Sequence, residues 1–270
     1  MPTVYAGAAK YHQYTIDGCS HIATHFDSLE KAAKITYRVL DIATLLFNDL
    51  SLSLALINTQ IKELVLVIES TRFFPVSYPL FISNENGKRF FQIKTKIQTI
   101  EKVSLSAHLI FKIAIVLEKV ELIALGIIST YTIGYLTLFR WLAEGLILSY
   151  NFFGAVDGTI AFKSAANNLV HCQDKIDKWK IREQIPGYDQ DRAIEKTRKW
   201  ENVKETLYID KNKAWLKIAA TVSKFILITT AVGLAAINHV SFVGQMLILN
   251  LGIISDLVGL TRIFYHEYFQ

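Results

Sequence analysis

Three residues near the start of the chain could make a metal site. Cys19, His21 and His25 supply a thiolate and two imidazoles, and His21 and His25 stand four apart, on one side of any helix they occupy. No second ligand cluster follows them, so the expectation is no metal and no cofactor. His171 and Cys172 are adjacent, and adjacent residues on a helix do not face each other. A thiolate–imidazole pair is therefore not expected there, and Cys172 reads as a small apolar residue. Gln245, Asn250 and Asp256 in the last apolar stretch, with Lys224 before it, are polar groups where function is the default reading if they lie at membrane depth. They fall near the ends of apolar runs, so they read as terminal or interhelical groups.

Asp157-Gly158-Thr159-Ile160-Ala161-Phe162 matches the opening of the membrane alcohol-phosphotransferase signature, but Phe162 stands where arginine is required and the downstream acids are missing. There is no phosphate-binding glycine loop, dinucleotide fingerprint or nucleophile elbow. The expectation is a protein without catalytic residues, not an enzyme.

The elements that position these residues are helical. The chain has 270 residues and only four prolines, Pro2, Pro75, Pro79 and Pro186, which leave three long helix-permissive blocks. The expected fold class is all-α: long amphipathic helices plus an apolar helical hairpin, in an integral membrane protein. Apolar residues make up 51% and charged residues 20%, a balance tilted from the globular norm toward the apolar side. The net charge of +5 is spread among mixed acids and bases rather than gathered in a stripe with stacking aromatics, so no nucleic-acid partner is expected. Two distant cysteines argue against a disulfide scaffold.

Residues 1–26 read as a flexible polar leader without the basic start and apolar core of a cleaved signal. Residues 27–90 read as an amphipathic helical region. Asp27 and Glu30 form a capping-box-like start. Lys31, Lys34, Arg38, Asp41 and Asn48 then recur on one face, with Ile35, Val39, Ile42, Leu46 and Leu50 on the other. This predicts a core helix of a bundle, continuing toward Phe73 with a break near Asn58. Leu64–Ile68 is apolar all round and is expected to be buried. Pro75–Pro79 reads as a non-helical crossing, and Ser83–Gly87 as a turn cluster.

Residues 91–160 form an apolar helical region. Leu122–Phe139 is 18 residues without charge, at the lower limit for a membrane span. Gly126, Thr130 and Gly134 mark a small-residue face on which helices pack closely. Residues 161–213 read as a charged helical hairpin turning at Pro186-Gly187. Its apolar seam runs through Phe162, Leu169, Cys172, Ile176 and Trp179, then Trp200, Val203 and Leu207. Phe162, Leu169, Ile176, Trp179, Trp200 and Leu207 are the candidate residues for protein–protein interaction.

Residues 214–270 form the apolar hairpin. Phe225–Ser255 holds 31 residues without Asp, Glu, Lys or Arg, broken only by Asn238-His239. Gly244, Gly252 and Gly259 mark a second helix-packing face. Lys217 and Lys224 are expected to snorkel or to point to water. Lys211, Lys213 and Lys217 precede the first helix and Arg262 ends the second, which places both ends, and the charged helices, on the cytosolic side.

The charged stretch ending in Lys199-Trp200-Glu201, followed by the two apolar helices of Trp215–Phe264, with Leu122–Leu148 as a second such region, resembles the bilobed hydrophobic hairpins of inclusion-membrane proteins of Chlamydiae-type intracellular bacteria. The resemblance implies type III secretion through the uncleaved leader, insertion in a host-derived membrane and recruitment of host factors by exposed helices. It carries over no catalytic residue.

Three functional classes fit the sequence. The first is a non-enzymatic membrane protein whose charged helices bind protein partners, with the lipid bilayer as its other partner and a homo-oligomer compatible with the same seams. The second is a small transporter, channel or membrane enzyme, which requires polar residues gathered at one membrane depth. The third is a soluble helical bundle.

Overall fold

Helix propensity and the scarcity of proline give seven helices among the described residues. The structure is a computed structural model that describes residues 2–47, 51–81, 96–119, 130–186, 189–236 and 241–269, without the side chains of 2–17, 19–20, 51–53, 78–81, 96, 115–119, 130–140 and 236. The elements are α1 Pro2–Leu46, α2 Ser51–Thr71, α3 Phe73–Phe81, α4 Lys96–Lys119, α5 Thr130–Glu183, α6 Gln190–Ala236 and α7 Phe242–Tyr268. No strand occurs among the described residues.

Several expectations change at this level. Residues 2–26 are helical and run on into the next region: α1 starts at Pro2, where a missing N–H costs a helix nothing, and no later proline stops it before Leu46. Asp27 and Glu30 consequently lie mid-helix and cap nothing. The break in the first region falls between Leu46 and Ser51 rather than at Asn58, which is buried inside α2. Pro75 does not begin a crossing. It sits in the first turn of α3, where proline is tolerated, and Val76 N–H still donates to the Arg72 carbonyl at 3.1 Å. Leu64–Ile68 is only half buried, with Val65 and Ile68 inside and Leu64 and Val67 exposed. The Ser83–Gly87 turn, Gly126 and the first part of Leu122–Phe139 lie outside the described residues, as do the side chains around Thr130 and Gly134.

The helices pack as a closed ring: α1 on α7, α7 on α6, α6 on α5, α5 on α4, α4 on α2 and α3, and these back on α1. Side-chain contacts fix the directions. Cys172 Sγ donates to the Trp200 carbonyl at 3.2 Å, Lys204 Nζ to Gln173 Oε1 at 2.7 Å and Lys217 Nζ to Asp157 Oδ2 at 2.8 Å, so α5 and α6 run antiparallel. Asn212 against Tyr265 and Ser223 against Ser255 make α6 and α7 antiparallel too. Ser241 caps α7, its Oγ accepting from Gly244 N–H at 3.2 Å, an interaction contributing about 1 kcal/mol.

Beyond Phe162 on α5 and Lys211 on α6, the two helices leave the ring as a stalk. Among the described residues, every hydrogen bond, ion pair and ring contact of 163–211 lies within or between α5 and α6, including that of Lys211, whose ammonium stands over the Phe162 ring at the base. Of the predicted seam, Cys172 and Ile176 are buried, and Phe162 meets Trp215 with ring centroids 6.3 Å apart. Phe162, Leu169, Trp179, Trp200 and Leu207 are half-buried, while Val203 is exposed. Opposite them α6 buries small residues, Ala193, Thr197 and Ala214, that the hydrophobic pattern did not single out.

A close approach of α5 to the α6 backbone is also at an unpredicted place. Gly154 and Gly158 stand four apart on α5. A Cβ at Gly158 would meet Ile218 Cγ1 at 2.9 Å, the Ile218 backbone nitrogen at 3.4 Å and the Ala214 carbonyl oxygen at 3.5 Å. Gly145, on the same helix, has nothing within 4 Å. We predict that Gly158→Leu lowers thermal stability in detergent by about 1–3 kcal/mol, because overpacking forces α6 away. Gly145→Leu should be neutral or stabilising through helix propensity. Equal melting temperatures for the two variants would contradict this crossing.

Candidate functional site

The residues that line the ring are charged, and α1 supplies more of them than any other helix. Asp27, Glu30, Lys31, Lys34 and Arg38 recur at spacings of three and four, which keeps them on one helical face. That face points inward. Lys34 is 8% and Arg38 7% exposed, whereas Leu29 and Val39 are 52% and 50% exposed. The amphipathic helix is in the bundle as expected, but with its polar side as the inside. Among the described residues, buried polar and charged side chains outnumber buried apolar ones, and large apolar side chains are exposed on every helix.

Ion pairs join neighbouring helices around the ring. Lys34 of α1 binds Glu30 of its own helix and Glu69 of α2. Arg72, just after α2, binds Glu30 and reaches Asp27 at 3.0 Å. Lys112 of α4 approaches Glu69 at 3.1 Å. Asp41 of α1 accepts from Lys62 Nζ at 2.8 Å and Asn58 Nδ2 at 2.6 Å, both on α2. Arg38 donates to Asp256 of α7 and, at 2.8 Å, to the Gly252 carbonyl. Lys224 of α6 stands 3.7 Å from the other oxygen of Asp256. Lower in the ring, Lys217 of α6 donates to Glu101 of α4 and Asp157 of α5, each at 2.8 Å, and Gln98 Nε2 adds a bond to Asp157 at 3.0 Å. Lys217 and Lys224 therefore neither snorkel nor face bulk water; acids on three other helices hold them inward. His108 of α4 is buried, its Nδ1 2.7 Å from the Ala143 carbonyl of α5.

Gly244, Gly252 and Gly259 lie on the buried side of α7. What fills the space over two of them is not a second backbone. A Cβ at Gly252 would meet the Arg38 guanidinium carbon at 2.6 Å, and one at Gly259 would meet Lys31 Cδ at 2.8 Å. Glycine on this face makes room for the long cationic side chains of α1.

The other sequence candidates stay apart from this centre. His21 and His25 contact each other through Nε2 atoms 3.0 Å apart on an exposed stretch of α1, and among the described residues no group of three ligand-type side chains surrounds a common point. Asn250 is exposed and donates to the Met246 carbonyl at 2.8 Å, and Gln245 is exposed. Asp256, by contrast, lies inside at 2% exposure, beside Ser255 at 3%. The sequence reading marked it, but its partner Arg38 lies 218 positions away, beyond the reach of any local pattern.

Between the rings of charge and the α6 wall lies a cavity of about 790 Å³. Lys34, Arg38, Glu69, Arg72, Lys112 and Lys224 line one part, and Leu227, Ile228, Ala231, Val232, Ala235 and Ile248 line another.

Removing one partner of a buried pair leaves an uncompensated charge and costs about 3–5 kcal/mol. We predict a loss of that order for Asp256→Leu, which strands both Arg38 and Lys224. Asp210→Leu on the exposed stalk should change stability by less than about 0.5 kcal/mol. Denaturation in detergent distinguishes the two, and a mild effect at Asp256 would mean that the pair does not hold α1 to α7.

No protein-family model, curated protein or solved structure matches this chain.

Proposed function

We propose that the chain is a non-enzymatic helical membrane protein that sits in a bilayer through its ring and presents the α5–α6 stalk to protein partners in the cytosol. The observation that carries this reading is the reversed polarity of the ring, with ion pairs inside and large apolar side chains outside. In water that arrangement exposes apolar area at a cost of about 25 cal/mol per Å². In lipid the same surface is at home, and charges must turn inward and pair. Among the described residues, three helices, α5, α6 and α7, are long and apolar enough to cross a membrane.

The stalk has the opposite character. Between Gln173 and Lys213 lie eleven Lys/Arg and nine Asp/Glu, which suits water. Val170, Ile181, Ile185 and Ile194 stand exposed among those charges and offer apolar anchors to a partner protein. The cytosolic side follows from Lys211 and Lys213 at the ring end of α6 and Arg262 near the end of α7, since basic flanks are retained there. Under the resemblance to inclusion-membrane proteins, that cytosol is the host's. The gathering of Lys34, Glu69, Lys112, Arg38, Asp256 and Lys224 around one cavity favours a second reading, a small transporter or ligand carrier.

Alkaline carbonate should leave the protein in the membrane pellet. Photo-crosslinkers at Val170, Ile181 and Ile194 should yield discrete protein adducts in native membranes, and one at Leu247 should label lipid. Release by carbonate, or stalk positions that label nothing but lipid, would overturn the proposal. For orientation, single cysteines at Asn202 and Glu267 should react with an impermeant reagent from the cytosolic side and one at Val243 from the opposite side. Labelling of all three from one side would mean that α7 does not cross.

A further inference from the structure

The central cavity holds more positive charge than its own carboxylates offset. Glu30 serves both Lys34 and Arg72, Glu69 serves both Lys34 and Lys112, and Asp256 serves both Arg38 and Lys224. Five cations thus rest on three carboxylates. Asp27 adds a fourth but is shared with Lys31; Glu144 also lines the cavity, and so does a sixth cation, Lys62. Lys224 is the least well served of the five, since its nearest carboxylate is 3.7 Å away and already engaged by Arg38. Unpaired charge in an apolar surround is expensive, and an anion from outside the chain relieves it.

Above Lys224 the cavity changes character. Leu227, Ala231 and Ala235 continue up the same side of α6, and Ile248 of α7 faces them. From Lys224 to Ala235 the helix rises roughly 16 Å. A volume of about 790 Å³ falls in the range of small-molecule sites. We propose that this cavity binds an amphiphilic anion, with its acidic head at Lys224 and Arg38 and its apolar tail along the α6 wall. The site is independent of whether the stalk has a protein partner, because no stalk residue lines it.

Equilibrium binding of radiolabelled laurate to the full chain in a non-ionic detergent tests this. Saturable binding of about one laurate per chain is expected, weakened at least roughly tenfold by Lys224→Gln through loss of a charge-assisted contact. Ala231→Trp, which fills the tail region, should abolish binding. If Lys224→Gln does not fold, Ala231→Trp decides the matter. Dodecylamine, with the same tail and a cationic head, should not compete, and neither should acetate or inorganic phosphate, which have no tail. Absence of saturable binding, wild-type affinity in the folded variants, or competition by dodecylamine as strong as by laurate itself would overturn the proposal. Full competition by acetate or phosphate would overturn its amphiphilic part, leaving a plain anion site.

Discussion

The ring depends on Arg38 and Asp256. These residues belong to the first and last helices, so their pairing converts a linear succession of packed helices into a closed one. Arg38 also donates to the Gly252 carbonyl one turn away from Asp256, and the guanidinium fits only because Gly252 has no side chain. Desolvating an arginine and an aspartate is repaid only when geometry is good and the remaining hydrogen-bonding capacity is met. One guanidinium nitrogen, Nη1, donates to both the Asp256 carboxylate and the Gly252 carbonyl. Lys224 occupies the far oxygen of the same carboxylate, so this one acid ties α1, α6 and α7 together.

A charged interior sets conditions on everything outside it. The charged stripe of α1 is used up in the ring, so what that helix turns outward includes Leu29 and Val39, and α4 likewise turns out Ile100, Val103 and Ile110. Periodicity in a sequence locates two faces of a helix but says nothing about which one faces the core. The stripe of Lys31, Lys34 and Arg38 was therefore visible, while its inward direction was not. The direction follows only from long-range partners such as Glu69 and Asp256. The C-terminal apolar pair was more legible, because a long run without charge leaves few alternatives, and Ser241 marks the start of α7 by a local cap.

Other features were hidden for definite reasons. Gly154 and Gly158 are spaced as a helix-packing pair, but Asp157 between them and the more apolar stretch around Gly126 drew attention elsewhere. The structure makes Asp157 part of the same contact, since it binds Lys217 on the helix that the two glycines admit. Pro75 looked like a barrier because proline usually ends helices, yet in a first turn it ends nothing. In the stalk, Ala193 and Thr197 escaped notice because a seam read from large residues overlooks the small ones that receive them.

Under the proposed insertion, helices α5 and α6 serve two solvents, and their lengths make the consequence unavoidable. At 54 residues α5 extends roughly 80 Å, while a bilayer core takes about 30 Å. If one part of it crosses lipid, a long remainder must stand in water, and the charges of 173–183 are suited to do so. Two paired helices joined at their tip bury little on their own, and isolated helices in water are marginal. The stalk is therefore held at its base, where Phe162 meets Trp215, Lys211 lies over the Phe162 ring, and Lys217 locks α6 to Asp157 and Glu101. Aromatic rings beside cationic side chains are the usual furniture of a membrane–water boundary. The same layer that marks where apolar surface gives way to charge is thus the layer that anchors the stalk, and the ordering of the stalk rests on the ion pairs inside the ring beneath it.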